Sequence, residues 1–204
     1  MSATYVDSGE LRSLYGEVHP LAVRKVMDRL DPHCRRFIGL SPFLVIGTSD
    51  ADGRQDVSPR GDAPGFVRVL DDRTLLLPDR PGNNRVDTLG NIATQPQIGL
   101  LFFVPGVDET LRVNGRGRIT TDPDLLAPSA VQGKVPRTAL LIAVEECFLH
   151  CGKALIRSHL WDPERKIARN SFPTLARMIS DQIEGVKVDD AEAAVDHSYR
   201  NTLY

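Results

Sequence analysis

The chain has 204 residues, 41% hydrophobic and 25% charged, with a formal net charge of -2. That balance excludes a disordered chain and a broad basic field for nucleic acid, and suits one domain or one domain with a helical extension. Three cysteines are too few for a secreted disulfide framework. The first ten residues carry no signal-peptide pattern, and no apolar run approaches the ~18 residues of a membrane helix, so a soluble, cytoplasmic protein is expected.

Residues 1–40 read as a helical segment. His19-Pro20 opens a stretch with Ala22, Val23, Val26, Met27 and Leu30 at helical spacing, and Asp31-Pro32 stops it, because a residue before proline is pushed out of the α region. From about Ser41 to Val144 the pattern is antiparallel strand. Phe43–Ile46 is a short apolar run, Ser49–Gly53 a turn, and Gln55–Gly61 the return strand. Gly65–Leu70 and Thr74–Leu77 follow, then a helix from about Asn84 to Thr94. The apolar strand Ile98–Val104 comes next, and Thr110–Ile119 alternates, with Leu111, Val113 and Ile119 on one face and Arg112, Asn114, Arg116 and Arg118 on the other. Thr138–Val144 is a further buried strand. Helices are expected over Pro173–Ile183 and over Asp189–Tyr199, the latter capped by Asp189 or Asp190. Strands that follow strands without crossover helices make this α+β with a β core, as a barrel or sandwich.

Four segments could carry chemistry. Asp79-Arg80-Pro81-Gly82-Asn83-Asn84-Arg85 joins a strand to a helix start, where unpaired N–H groups and a partial positive charge favour phosphate. Arg80 and Arg85 could clamp phosphate oxygens while Asn83 and Asn84 cap or donate; the alternative is a helix cap with two solvated arginines. The stretch around Ser58-Pro59-Arg60 is either an irregular ligand wall or a plain edge strand. The arginines at 112, 116 and 118 form a solvated face, an anion surface or a dimer contact, and their mutual repulsion calls for a carboxylate or phosphate nearby. The cluster Cys147–Lys153, with Arg157 and Trp161 beyond it, lacks the ligand spacing of a structural zinc site, so no metal is expected and buried apolar cysteines are the default.

These segments in this order resemble the pyridoxamine 5′-phosphate oxidase-like family of FMN-binding split barrels. The resemblance spans about Ser41–Trp161. It rests on Ser-Pro-Phe-Leu, Val-Ser-Pro-Arg-Gly-Asp, Leu-Leu-Leu-Pro-Asp-Arg-Pro-Gly-Asn-Asn-Arg, Leu-Arg-Val-Asn-Gly and a tail, Cys-Gly-Lys-Ala-Leu-Ile-Arg-Ser-His-Leu-Trp-Asp-Pro, seen in a bacterial subgroup. It implies a six-stranded antiparallel split barrel over residues 41–161; from the helical spacing that follows, a C-terminal helical extension, 162–204, is expected packed on it. It also implies a homodimer with FMN at the subunit interface; the charge balance and the short apolar runs leave no nucleic-acid or membrane partner expected. Ser58 and Arg60 would touch the flavin, Arg80, Asn83, Asn84 and Arg85 would hold its phosphate, and Arg112, Lys153 and Trp161 would complete the site, in part from the partner subunit. The apolar and arginine surface of Ile98–Val104 and Thr110–Ile119 also points to a dimer contact. Where pyridoxamine-phosphate oxidases carry Arg-x-Val-Leu-Leu-Lys, this chain has Asp-Val-Ser-Pro-Arg-Gly. The implied activity is therefore an FMN-dependent oxidoreductase with a different, unknown small substrate. A flavin- or haem-binding protein without turnover and a deazaflavin-dependent reductase are the alternatives.

Overall fold

The computed structural model describes residues 3–204. Its centre is a seven-stranded antiparallel sheet. The strands are β1 (Phe43–Ser49), β2 (Gln55–Gly61), β3 (Arg68–Val69), β4 (Thr74–Pro78), β5 (Gln97–Phe103), β6 (Thr110–Thr120) and β7 (Ala139–His150), in the spatial order β2-β1-β5-β6-β7-β4-β3. The expected count of six is corrected by β3, a two-residue strand on the outer edge of β4. Only Arg68 and Val69 of the expected strand 65–70 pair, because Gly65 turns at φ 80° and Phe66 N–H bonds back to Ala63.

Alternation decides which residues enter the core. Leu44 and Ile46 of β1, Leu100 and Phe102 of β5, and Leu111 and Val113 of β6 are buried. Together with Leu75, Leu77, Ile142 and Val144 they form one cluster. The apolar residues of β5 and β6 are thus largely consumed inside the chain. Ile119, expected on the inner face, is 40% exposed, although its register partner Leu140 on β7 is buried. β7 runs six residues past its expected end. It carries an unpaired Glu145 between the pairs Asn114–Glu146 and Gly115–Val144, a bulge that turns the end of the strand. Gly115 is required there, since a Cβ would run into the Ala143 carbonyl oxygen.

The helices differ from the sequence pattern in instructive ways. Helix α1 (Ser8–Leu14) is closed by a capping box between Asp7 and Glu10, and α2 (Pro20–Arg24) lasts only five residues. Its expected continuation breaks because Met27 bridges to Cys147 on β7. Asp31-Pro32 then starts a helix as well as ending one. Asp31 caps α3 (Pro32–Leu40), accepting from Cys34 N–H at 2.7 Å, and proline at the first helical position loses no bond. Helix α3 buries Cys34, Phe37 and Ile38, one i, i+3, i+4 stripe, against the sheet.

Helix α4 (Asp87–Thr94) begins three residues later than its pattern suggests. Asn84 and Val86 sit at φ 58° and 55°, outside the right-handed helical region, so the segment before Asp87 is loop. Helices α5 (Pro123–Leu126) and α6 (Lys153–Ser158) are short. Helix α7 (Leu175–Gln182) packs against α8 (Val188–Asn201). Asp189 and Asp190 fall in the first turn of α8, whose N-cap is Lys187, so they complement the helix dipole without capping it. Among the described residues no helix is long and apolar enough to cross a membrane.

Candidate functional site

A cleft of about 940 Å³ opens between the edge strand β2, the loop that follows β4, the start of α4 and the segment 134–137. Its size is within the range of cofactor pockets. The edge position of β2 explains how Pro59 is tolerated. Ser58 pairs with Ile46 and Arg60 with Leu44, so both half-buried side chains leave the strand toward the cleft. Arg60 donates from Nη1 to Ser58 Oγ and to the Pro59 carbonyl, each at 2.8 Å, and from Nη2 to Thr88 Oγ1 at 3.1 Å. Thr88 in turn donates to Asp56 Oδ2 at 2.7 Å. This chain of bonds ties β2 to the first turn of α4.

The loop from Asp79 to Val86 forms the opposite wall. Arg80 donates from Nε to Asp62 Oδ2 at 2.6 Å and from Nη1 to the Ser129 carbonyl at 2.8 Å. The pair is well covered, with the Arg80 side chain 16% and that of Asp62 2% exposed. Asn83 Oδ1 accepts from Arg85 N–H at 3.1 Å, a local turn, and asparagine accommodates the left-handed backbone of Asn84. Val86 adopts the same region with a β-branched side chain, which costs strain, and gives α4 no side-chain cap among the described residues. The first N–H groups of α4 therefore face the loop without a capping oxygen. Arg85 is exposed and donates to Asp87 Oδ2 at 2.7 Å.

Six of the nine sequence-predicted positions thus line one cleft: Ser58, Arg60, Arg80, Asn83, Asn84 and Arg85. The other three, Arg112, Lys153 and Trp161, do not line it. Arg112 on β6 donates to Glu146 Oε1 at 3.2 Å and stacks 4.3 Å above the Phe148 ring, and Asn114 donates to the same oxygen at 2.9 Å. Glu146 is the carboxylate that the arginine ladder called for. The Arg112 Nε is buried with no partner among the described residues. His150 lies against Phe148; burial and the charges of Arg112 and Lys25 push its imidazole pKa down. Lys153 opens α6 in the open, and Trp161 donates from Nε1 to the Val107 carbonyl at 2.9 Å. Cys34 and Cys147 are buried, as expected for apolar cysteines, whereas Cys151 is exposed.

Residues 30–151 match the model of the pyridoxamine 5′-phosphate oxidase family, more than half of the chain. The chain belongs to this family. Its α+β architecture, an antiparallel sheet with flanking helices, is the split barrel of that family. A crystal structure of HupZ from Group A Streptococcus is similar over 59% of this chain and 93% of its own, at 20% identity and a TM-score of 0.49. A Clostridium acetobutylicum protein related to general stress protein 26 covers 58% of this chain and 85% of its own, at 14% identity and a TM-score of 0.42. HutZ, the haem-storage protein of Vibrio cholerae, covers 60% and 94%, at 15% identity and a TM-score of 0.39. No curated protein matches the chain. The match to the family ends at residue 151, so α6, α7, α8 and the residues after them lie outside it.

Several cleft residues escape a sequence reading. Asp79 stood in the segment already singled out but was given no role; it is half-buried, its carboxylate takes no hydrogen bond among the described residues, and burial pushes its pKa up, against the opposing pull of Arg60. Lys134 and Arg137 add cations from the segment before β7. Tyr204 reaches in from beyond α8 and donates to Asp62 Oδ1 at 2.8 Å. Asp62 stood beside Arg60 in a segment already singled out. No local pattern links position 204 to position 62.

Proposed function

We propose that this protein is an FMN-binding flavoprotein, an FMN-dependent oxidoreductase for a small substrate, working as a homodimer with FMN at the subunit interface. The observation that carries the reading is the convergence of Arg60, Arg80 and Arg85 with the uncapped start of α4 around one cleft of about 940 Å³. Guanidinium forks and free N–H groups are the donors a terminal phosphate needs. The residues present fit FMN. Arg85 and the Asn83–Asn84 turn would take the phosphate, and Arg60, held by Ser58 and Thr88, would take oxygens nearer the ring. Bound FMN supplies hydride exchange at its ring, while the protein supplies binding, orientation and exclusion of water. Arg60, with both terminal nitrogens already bonded, presents a fixed charge, and Arg85 presents an adjustable one. Among the described residues the cleft lining holds no histidine, cysteine or methionine, and its one tyrosine, Tyr204, already gives its hydroxyl to Asp62, which favours flavin over haem.

The dimer reading has support away from β5 and β6. Tyr5, Leu14, Tyr15, Leu21 and Val23, in and around α1 and α2, are all at least 60% exposed among the described residues. A second copy would cover such an arm. The same copy could bring Arg112, with its unpartnered Nε, to the cleft.

The deciding experiment is the visible spectrum of the purified protein, followed by mass identification of the released group and fluorescence titration of apoprotein with FMN. A flavin spectrum, the mass of FMN and stoichiometric uptake are the expected results. FAD, haem or no flavin uptake would overturn the assignment. Reduction by a nicotinamide nucleotide with turnover of an acceptor separates an enzyme from a binder.

A further inference from the structure

We infer that the segment after α8, Thr202–Tyr204, is part of the ligand site: Tyr204, acting through Asp62, positions Arg80, so that docking of this segment and occupancy of the cleft are coupled. Three elements distant in sequence meet here. Asp62 ends the β2 hairpin, Arg80 opens the loop after β4, and Tyr204 follows α8. The Asp62 carboxylate divides its two oxygens. Oδ2 accepts from Arg80 Nε at 2.6 Å, while Oδ1 accepts from Ala63 N–H at 2.7 Å and from the Tyr204 hydroxyl at 2.8 Å. The phenol therefore helps to fix the rotation of the carboxylate that aims Arg80. The Tyr204 ring also lies 5.7 Å from the guanidinium carbon, within cation–π range. Lys134, on the cleft rim, donates from Nζ to the Tyr204 carbonyl at 2.6 Å and secures the segment a second time.

The placement is specific. Thr202 and Tyr204 line the same cleft as Arg60 and Arg85. Arg80 spends Nε on Asp62 and Nη1 on the Ser129 carbonyl, which leaves its Nη2 edge as the one without a hydrogen bond among the described residues. An anion on that edge is favoured when Asp62 is held still. By linkage, an anion bound there must in turn favour the docked segment.

The inference rests on the proposed reading only in taking FMN as the ligand, so its test uses a second probe. Hydrogen exchange of residues 199–204 in the full chain is measured with and without saturating FMN, and separately with inorganic phosphate. Protection should rise with ligand. Tyr204→Ala should weaken FMN about three- to tenfold and speed its release, and Tyr204→Phe, which keeps the ring and loses the hydroxyl, should recover part of the loss. In an Arg80→Lys background the effect of Tyr204→Phe should largely vanish, because the phenol then has no fork to aim. A purely structural tether would lower stability but leave that non-additivity absent. If FMN fails to bind but phosphate still protects the segment, the coupling holds and the flavin reading falls. If neither FMN nor phosphate alters exchange, or Tyr204→Ala keeps the parent's affinity for whichever of the two the parent binds, the inference is overturned.

Discussion

The cleft and the β6–β7 face hold arginines in opposite ways. In the cleft, Arg60 and Arg80 are bound by neutral oxygens and by one well-covered carboxylate, and Arg85, out in the open, meets only the exposed Asp87, while Lys134 and Arg137 add further cations. On the β6–β7 face, Arg112 is satisfied by Glu146 and stacked on Phe148, so its charge is largely answered within the chain. A surplus of cations over partners marks a place for an anion, and a charge already answered marks a place where shape matters more.

The largest effect is expected at Arg80. Arg80→Ala leaves the nearly inaccessible Asp62 carboxylate without its ion partner, which costs about 3 kcal/mol of stability, the lower end for a broken buried pair. Urea unfolding at pH 7 measures it. Arg112→Ala, whose pair is 41% and 37% exposed, should cost under about 1 kcal/mol by the same measurement. Equal losses would erase the distinction between the two regions.

Next comes Arg85. Arg85→Ala should lower FMN affinity roughly ten- to hundredfold, the loss of a charge-assisted pair worth about 1.5–3 kcal/mol. Arg85→Lys should recover part of it, since an ammonium cannot reproduce the planar fork. Arg118→Ala removes the same charge from an exposed position on β6 that does not line the cleft. Fluorescence titration of the three variants, each checked for folding by circular dichroism, separates contact from long-range charge. Equal weakening by Arg85→Ala and Arg118→Ala would move the phosphate away from the loop.

The contrast also explains what the sequence could show. Strand alternation in β1, β5 and the first part of β6 was legible, because a period of two needs only near neighbours. Ser58, Arg60 and the 80–85 segment were legible as site candidates because turn chemistry and cations coincide there. The start of α4 was not. Arg85 belongs to the loop because Asn84 and Val86 adopt left-handed backbone, and for valine no propensity suggests that. Asp31-Pro32 misled in a different way, since the residues that stop one helix also cap another. Tyr204, 142 residues from Asp62, is set by tertiary packing alone.

A smaller effect sharpens the dimer side of the comparison. If a partner copy brings Arg112 to the cleft, Arg112→Ala should weaken FMN by up to about tenfold in the dimer. Light scattering at low micromolar concentration, run with the titration, gives the assembly state of the same sample. A flavin-bound monomer would confine the site to one chain, and an Arg112→Ala variant with unchanged affinity would remove Arg112 from it.

The smallest effect concerns Asp79, a cleft carboxylate that lacks a hydrogen-bond partner among the described residues. Burial raises the Asp79 pKa above its ordinary 3.8, with Arg60 opposing. Between the unfolded and folded values the native state binds more protons than the unfolded chain, so stability falls as pH rises through that window and is level above it. Asp79→Asn removes this cost. The variant should therefore gain on the parent between pH 3.5 and pH 7 in paired urea titrations, while the other carboxylates, common to both proteins, cancel in the difference. The same substitution takes a negative charge from a cleft built for an anion, so FMN affinity at pH 7.5 should rise, by about two- to fivefold for a partly exposed charge. The two signs are linked, because both require Asp79 to be ionised at neutral pH. A variant that is less stable than the parent at pH 7 and binds FMN more weakly would instead make the Asp79 carboxylate a hydrogen-bond acceptor for the ligand.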